Sequence, residues 1–470
     1  MLTLSLFIVY LLSLIPFAWR ARRSGAKNPH DFYLAGRSLG TGVLVCTLFA
    51  TQYSGNTFMA FPGKAYRMGY AYIMSVTFMM AIVAFYLTYA PSLTTIARKQ
   101  RFITPCDWIH LRYNNIWLTM SSALLMTWAL LNFLLAQLMA MGHAVEGLTG
   151  GAVAYQTGVL FLAIVIVTYE SVGGMRAVAW TDTLQGIIMI AAVFVLGIYL
   201  ISDQNKITML PEKISQISPE KIQAPTFEIC ATWLSSIIIV GLGGAMYPQG
   251  IQRILAARST KILKKSLAIL VFMPLITVVF AYLMGITAIV QFQELSDLKS
   301  DQVMTLLLAD IAQRNMILYI AVSVLLLGAL AAIMSTADSI ILSLSSIIVQ
   351  DIYGRSFGRG TKEEHLLRLG KYVSWILTCG TVAVALSPNM TLWRLLEIKF
   401  ELLIQVAPAF ILGFHIKNLD SRVALFGLIL GCTIAIIGFF QGGKWYGFHP
   451  GTVGCIVNGS VLLLFGRRNG

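Results

Sequence analysis

The 470-residue chain is 57% hydrophobic and only 11% charged; an ordinary soluble domain carries about 25% charged residues, so a water-soluble globular protein is excluded. A net charge of +14 would point to nucleic acid in a soluble protein, but here the basic residues fall between apolar runs and set membrane orientation, with no nucleic-acid partner expected. No GxxxxGK[ST] loop, HExxH motif or CxxC pair occurs and the six cysteines are scattered. P-loop nucleotide hydrolysis, a zinc site and a disulfide framework are therefore not indicated, an enzyme is not expected, and uphill work would draw on an ion gradient.

In chain order, the first apolar segment, 2–19, is followed rather than preceded by basic residues, Arg20, Arg22, Arg23 and Lys27. That is the reverse of a cleavable signal peptide. It predicts a retained helix with its N-terminus outside and its far end in the cytoplasm. Further segments near the ~20 residues needed to cross the hydrocarbon lie at 40–63, 68–93, 117–141, 153–169, 181–201, 229–249, 266–291, 316–348, 368–386, 391–416, 421–440 and 451–466. The expectation is an all-α polytopic protein of about thirteen transmembrane helices in a single domain, 1–470, embedded in the lipid bilayer of an inner (plasma) membrane. Loops assigned to the cytoplasm carry about three times as many Lys and Arg as the alternate loops, as the positive-inside rule requires. The C-terminus is then cytoplasmic, and 202–228 reads as a polar loop with short helical pieces.

Two of these segments are interrupted. The second carries Ala50-Thr51-Gln52-Tyr53-Ser54-Gly55-Asn56-Thr57, then Pro62-Gly63; the seventh carries Gly241-Leu242-Gly243-Gly244, then Pro248-Gln249-Gly250. Paired broken helices, here five spans apart, point to a midplane binding site between inverted repeats. Glycines at such positions also serve close helix packing, and both readings stand on sequence grounds. Ala332, Ser335 and Thr336 lie at i, i+3 and i+4, on one helix face. Asp338 is an acid within an apolar span, where an ionisable residue is a functional candidate by default.

With these residues in view, the chain resembles the sodium:solute symporter family of bacterial proline, pantothenate, sialic acid and sugar symporters. The resemblance is carried by Asp31-Phe32-Tyr33-Leu34-Ala35-Gly36-Arg37-Ser38-Leu39-Gly40, by Ser54-Gly55 leading to Pro62-Gly63, and by Tyr169 with Val172–Val178. It continues through Trp180-Thr181-Asp182 with Gln185, Gln252-Arg253 with Ala256–Ser259, and Ala331–Ser339. It implies a leucine-transporter-type fold. Two inverted five-helix repeats, about 40–201 and 229–416, are then flanked by one N-terminal and two C-terminal helices.

The resemblance also implies a sodium site formed by Ala50, Tyr53, Ala332, Ser335 and Thr336, with sodium as coupling ion and no organic cofactor. Oxygen ligands of this kind suit a hard cation. A second sodium between Asp182, Ser335, Asp338 and Ser339 is a further implication, although Asp182 also fits a helix N-cap. Gln52, Ser54, Gly55, Asn56, Phe133, Val240 and Gly244 are the expected solute pocket. Gln52, Asn56, Val240 and Phe133 stand where proline symporters carry Asp, Trp, Trp and Tyr, so proline is not the expected solute.

Near the cytoplasmic edge, Glu170 reads as a solvated charge. At the outer end of the eleventh span, Arg394, Glu397, Lys399 and Glu401 read as a surface cluster with an Arg394–Glu397 pair at i, i+3, an outer gate being the alternative. The expected activity is sodium-coupled symport of a small organic solute (amino acid, organic acid or similar) by alternating access. The alternatives are proton coupling through Asp338 or Asp182, and a transporter-like solute sensor, which would carry a cytoplasmic signalling domain.

Overall fold

Backbone N–H and C=O groups in hydrocarbon must be bonded within their own segment, which leaves helices and closed barrels as spanning structures. The computed structural model describes residues 28–467 except 55, 203, 293–294, 357, 359 and 388–390, together with 9, 12, 13 and 16. Within these residues the chain is helical and forms only isolated β-bridges. Most of the expected first span and all of its basic cluster lie outside them.

The second expected span is α1 (Thr41–Gln52), a π-helical turn at Asn56–Ala60 and α2 (Phe61–Met68). The third and fourth are α3 (Ser75–Gln100) and α4 (Ile116–Leu148). The fifth and sixth form α5 (Tyr155–Ser202), bent at Gly174 (φ 55°, ψ −158°). The seventh divides into α6 (Phe227–Ala245) and α7 (Pro248–Ala256); the eighth divides into α8 (Thr260–Leu270) and α9 (Met273–Gln291). After α10 (Met316–Ser346) and α11 (Glu363–Ala385), the eleventh becomes α12 (Leu392–Leu403) and α13 (Ala407–His415). The last two are α14 (Ser421–Phe440) and α15 (Pro450–Phe465). Among the described residues, 7 helices are long and apolar enough to cross a membrane; the broken ones contribute shorter apolar pieces.

Two sequence expectations change here. The bend at Gly174 makes Asp182 an interior helical residue, so it caps nothing. A Cβ at Gly174 would lie 2.7 Å from the Phe32 carbonyl oxygen, and its positive φ disfavours any side chain. The stretch between α9 and α10, read as loop, also holds a helix at Val303–Ala312. Polar Gln302 and Asn315 had masked it.

The centre of the protein is α10. Every residue from 325 to 346 is buried, as expected of a helix apolar around its whole circumference. Around it, the scattered motifs dock on one another. Leu39 N–H donates to Ala256 O at 3.2 Å and Arg258 N–H to Leu39 O at 2.9 Å. Arg176 pairs with Asp31 at 3.4 Å, and Arg98 donates to Ala257 O at 2.7 Å. The segments 31–40, 172–178 and 252–259 thus form one clasp, distant in sequence and adjacent in space.

Gly285 on α9 marks a tight backbone contact near the site: a Cβ there would lie 2.4 Å from Pro62 O and 2.5 Å from Ala65 Cβ, both on α2. Backbone cannot yield as a side chain can, and overpacking costs about 1–3 kcal/mol. Gly285→Val therefore lowers the unfolding temperature of the detergent-solubilised protein. Gly380→Ala on α11, where nothing lies within 4 Å, leaves it unchanged or raises it. Equal Tm values for the two variants would refute this packing.

Candidate functional site

The first break follows Gln52. Tyr53 has φ −99° and ψ 85° and its N–H still bonds Phe49 O, so the chain leaves the helical ladder at Tyr53 and Ser54. The second break falls at Met246 and Tyr247 (φ −59°, ψ 118°), immediately before Pro248. The glycines that drew attention to this helix lie inside α6 and are packing residues. Added Cβ atoms at Gly241, Gly243 and Gly244 would meet Ala81, Phe400 and Ile82 at 2.8, 2.5 and 2.6 Å.

The carbonyls released at the end of α6 are taken by tyrosines of α3: Tyr86 Oη donates to Gly244 O at 3.3 Å and Tyr89 Oη to Ala245 O. Gln52 Nε2 in turn donates to Tyr86 Oη at 3.0 Å. One hydrogen-bond chain therefore joins the two breaks.

At the first break Thr336 Oγ1 lies 2.9 Å from Ala50 O and 3.0 Å from Ala332 O. Three neutral oxygens on α1 and α10 converge there, all buried. Ser335, one position earlier, points elsewhere and donates to Asp182.

Asp182 is the hub of the interior. Its carboxylate accepts from Thr47 on α1, from Ser335 on α10 and from Arg253 Nη2 on α7 at 2.9 Å. Arg253 also donates to Thr47 Oγ1 at 2.7 Å, to Gln249 O at 3.1 Å and to Ser339. Both side chains of the ion pair are 0% exposed. The neighbouring Gln252 accepts from Ser343 at 2.6 Å and donates to Ser346 at 2.8 Å.

Of the expected second-sodium set, Asp182, Ser335 and Ser339 are brought together, and the guanidinium of Arg253 engages both Asp182 and Ser339. Asp338 does not join them. It is fully buried, and neither carboxylate oxygen has a hydrogen-bond partner among the described residues.

Gln52, Ser54, Phe133 and Val240 line one cavity, as expected. Tyr247, Phe400, Thr57 and Leu396 line it too, and these were not anticipated. Tyr247 sits on the break itself. Phe400 belongs to α12, whose pattern of three charges within five residues hid its inward face. Gly244 is not among the lining residues and packs on Ile82 instead; Gly55 and the side chain of Asn56 lie outside the described residues. The cavity measures about 20 Å³, room for about one water, so its walls must part to admit an organic solute.

Two further expectations reverse. Glu170 is 1% exposed rather than solvated. Arg394 does pair with Glu397, at 3.3 Å, but Lys399 is 0% and Glu401 8% exposed. The cluster is therefore split between the surface and the interior of α12.

A helical bundle with spans apolar enough to cross a membrane and two broken helices at its core has the arrangement in which transporters place a midplane binding site. The profile of the sodium:solute symporter family matches residues 32–431, and the chain belongs to that family. It is 25% identical over 475 residues to the sodium/pantothenate symporter of Haemophilus influenzae (100% of this chain, 96% of the relative). It is 27% identical over 448 residues to sodium/proline symporter 2 of Staphylococcus saprophyticus (93% and 85%). Among solved structures, a Na+-coupled sialic acid symporter in a substrate-bound outward-open state superposes with a TM-score of 0.80 at 17% identity, covering 100% of this chain and 98% of the other. That similarity establishes the leucine-transporter-type fold.

Removing one member of a buried ion pair strands the other and costs about 3–5 kcal/mol, whereas replacing both with apolar groups is often close to neutral. Asp182→Leu and Arg253→Leu should each lower the Tm in detergent sharply, and the double variant should recover a substantial part of the loss. Additive losses in a double-mutant cycle would show that the two side chains are not coupled.

Proposed function

We propose that this protein is a secondary active symporter that carries a small organic solute inward together with one sodium ion, by alternating access. The observation that carries this reading is the convergence of Ala50 O, Ala332 O and Thr336 Oγ1 at the first helix break. Carbonyl and hydroxyl oxygens supply a hard cation with ligands that do not titrate near neutral pH. Tyr53, whose carbonyl leaves the helical ladder, and Ser335, by rotating from Asp182, complete the set. Sodium bound there bridges α1 to α10, and the chain Gln52–Tyr86–Gly244 passes any movement of the first break to the second. The two repeats, 40–201 and 229–416, then move against each other around the cavity. The solute occupies the space bounded by Gln52, Ser54, Phe133, Val240 and Tyr247.

One charge falling through ~100 mV supplies about 2.3 kcal/mol, and a tenfold sodium gradient adds about 1.4 kcal/mol. One sodium therefore supports roughly a few-hundredfold accumulation. In this reading the protein sits in a bacterial inner membrane with its N-terminus outside and its C-terminus in the cytoplasm, the orientation that the Lys and Arg distribution favours. The relatives named above transport pantothenate and proline. Phe133 and Val240 in place of the Tyr and Trp of proline symporters argue against proline as the preferred solute.

Reconstituted into proteoliposomes, the protein should take up its solute in response to an inward sodium gradient. Thr336→Ala, which removes an ion ligand, should raise the apparent sodium constant about tenfold or more while leaving the fold intact. Unchanged sodium dependence in Thr336→Ala would remove this site from the mechanism.

A proton as coupling ion is favoured by one observation, the unpartnered carboxylate of Asp338, because a buried carboxylate needs a cation or a proton. Asp338→Asn separates the two readings. Retained sodium coupling with an unaltered pH profile is the expected outcome; loss of a pH dependence present in the wild type would show proton coupling instead.

A further inference from the structure

Lys399 is a buried lysine with no hydrogen-bond or ion-pair partner among the described residues. It is 0% exposed, and its Nζ has no hydrogen-bond acceptor among the described residues. It rests on aromatic faces instead, 3.4 Å from the ring centroid of Phe133 and 5.1 Å from those of Tyr247 and Phe400. All three rings line the cavity at the helix breaks, and Phe133 stacks on Tyr247 at 5.1 Å with 16° between planes.

The acids that could neutralise Lys399 are committed elsewhere. Two residues before it, Glu397 pairs with Arg394 at 3.3 Å and with Lys444 at 3.6 Å. Two residues after it, Glu401 holds His449 at 3.1 Å and accepts from Gly451 N–H. Residues i±2 on a helix do not face i, so neither turns back. The helices that carry Phe133 and lead to Tyr247 have one acid each, Glu146 and Glu228. At 1.5 Å per residue these lie roughly 20 Å or more along the chain from those rings.

Aromatic faces stabilise an ammonium, but they do not supply the counter-charge that a fully desolvated ion needs. The surroundings are therefore arranged for an anion brought from outside the chain. We propose that Lys399 is the charge-recognition residue of the solute pocket and that the transported solute is an organic carboxylate. The inference rests on the symporter reading above. Phe133, Tyr247 and Phe400 hold the ammonium at the cavity wall; as the walls part, it leaves the ring faces and meets the carboxylate, while Gln52, Ser54 and Thr57 offer hydrogen bonds to the rest of the solute. Sodium at the first break and the Lys399–carboxylate pair then balance separately. The requirement selects the solute: a neutral sugar or alcohol would leave the ammonium uncompensated.

The test uses the full-length protein, purified and in proteoliposomes. The probes are radiolabelled acetate, pyruvate, lactate, proline and pantothenate, each set against its primary amide or alcohol. With a sodium gradient, the wild type should take up at least one carboxylate and discriminate at least tenfold against its neutral partner. Lys399→Met should lose that uptake more than tenfold, and Lys399→Arg should keep a measurable part of it. Lys399→Met removes an unpaired buried charge, so its Tm should equal or exceed that of the wild type, which separates lost recognition from misfolding. Binding of 22Na+ to the purified variant, which reads the sodium site without any solute, should persist.

The proposal is overturned by equal carboxylate uptake by wild type and Lys399→Met, by no uptake of any carboxylate by the wild type, or by Lys399-dependent uptake of a neutral solute that requires chloride. Neutral-solute uptake driven by sodium would sink the proposal and leave the symporter reading standing. Carboxylate uptake that needs Lys399 but ignores sodium would do the reverse.

Discussion

The interior is organised around one buried ion pair, Asp182 with Arg253, which ties α1, α5, α7 and α10 at a single point. Such a pair adds little net stability, because desolvation offsets the attraction, but it is unforgiving of geometry. Its hydrogen bonds to Thr47, Ser335 and Ser339 orient the side chains around the first helix break. Ser335 and Ser339 are drawn to the pair, which leaves the Thr336 hydroxyl between Ala50 and Ala332. The three residues lie within one turn and a quarter of α10 yet bond to three different neighbours.

The second constraint is that hydrocarbon does not tolerate free backbone groups. Each break in a spanning helix releases carbonyls, and the protein treats its two breaks differently. At α6 the released carbonyls are met by the hydroxyls of Tyr86 and Tyr89, so that break is internally satisfied. At α1 the Ala50 carbonyl is met by a threonine hydroxyl, a group that can yield to a cation. In the symporter reading proposed above, this difference would give the two breaks distinct roles, one bearing the ion and the other a solute wall. Tyr86, bonded to both Gln52 and Gly244, couples them through a contiguous physical link.

Periodicity and apolar length sufficed to locate twelve of the expected spans on helices, because membrane segments must be apolar over a fixed length whatever they pack against. The break at Tyr53 was legible for the same reason: polar residues in the middle of an apolar run have few other uses. The second break falls between the two interruptions of the seventh span, Gly241–Gly244 and Pro248–Gly250. Gly241–Gly244 looked like weak helix and is helix under compression, a distinction that depends on the opposing Ala81, Ile82 and Phe400. The charged triplet on α12 was misread for a related reason. Glu397, Lys399 and Glu401 alternate on a helix, so a surface reading assigns all three to water, whereas the helix is enclosed by α4 and α15 and each charge takes a different side.

The sequence by itself determined that this chain crosses a membrane many times as helices, that two of those helices are interrupted, and, through its ordered motifs, to which family it belongs. These are local properties, set by residue hydropathy, backbone chemistry and spacing along one segment. Only the tertiary structure decided that Arg253 stands between Asp182 and Ser339, and that Lys399 lies against Phe133 while, among the described residues, neither it nor Asp338 meets a hydrogen-bond partner. The fate of a buried charge depends on what approaches it from helices a hundred or more residues away, and no pattern along one helix records that approach.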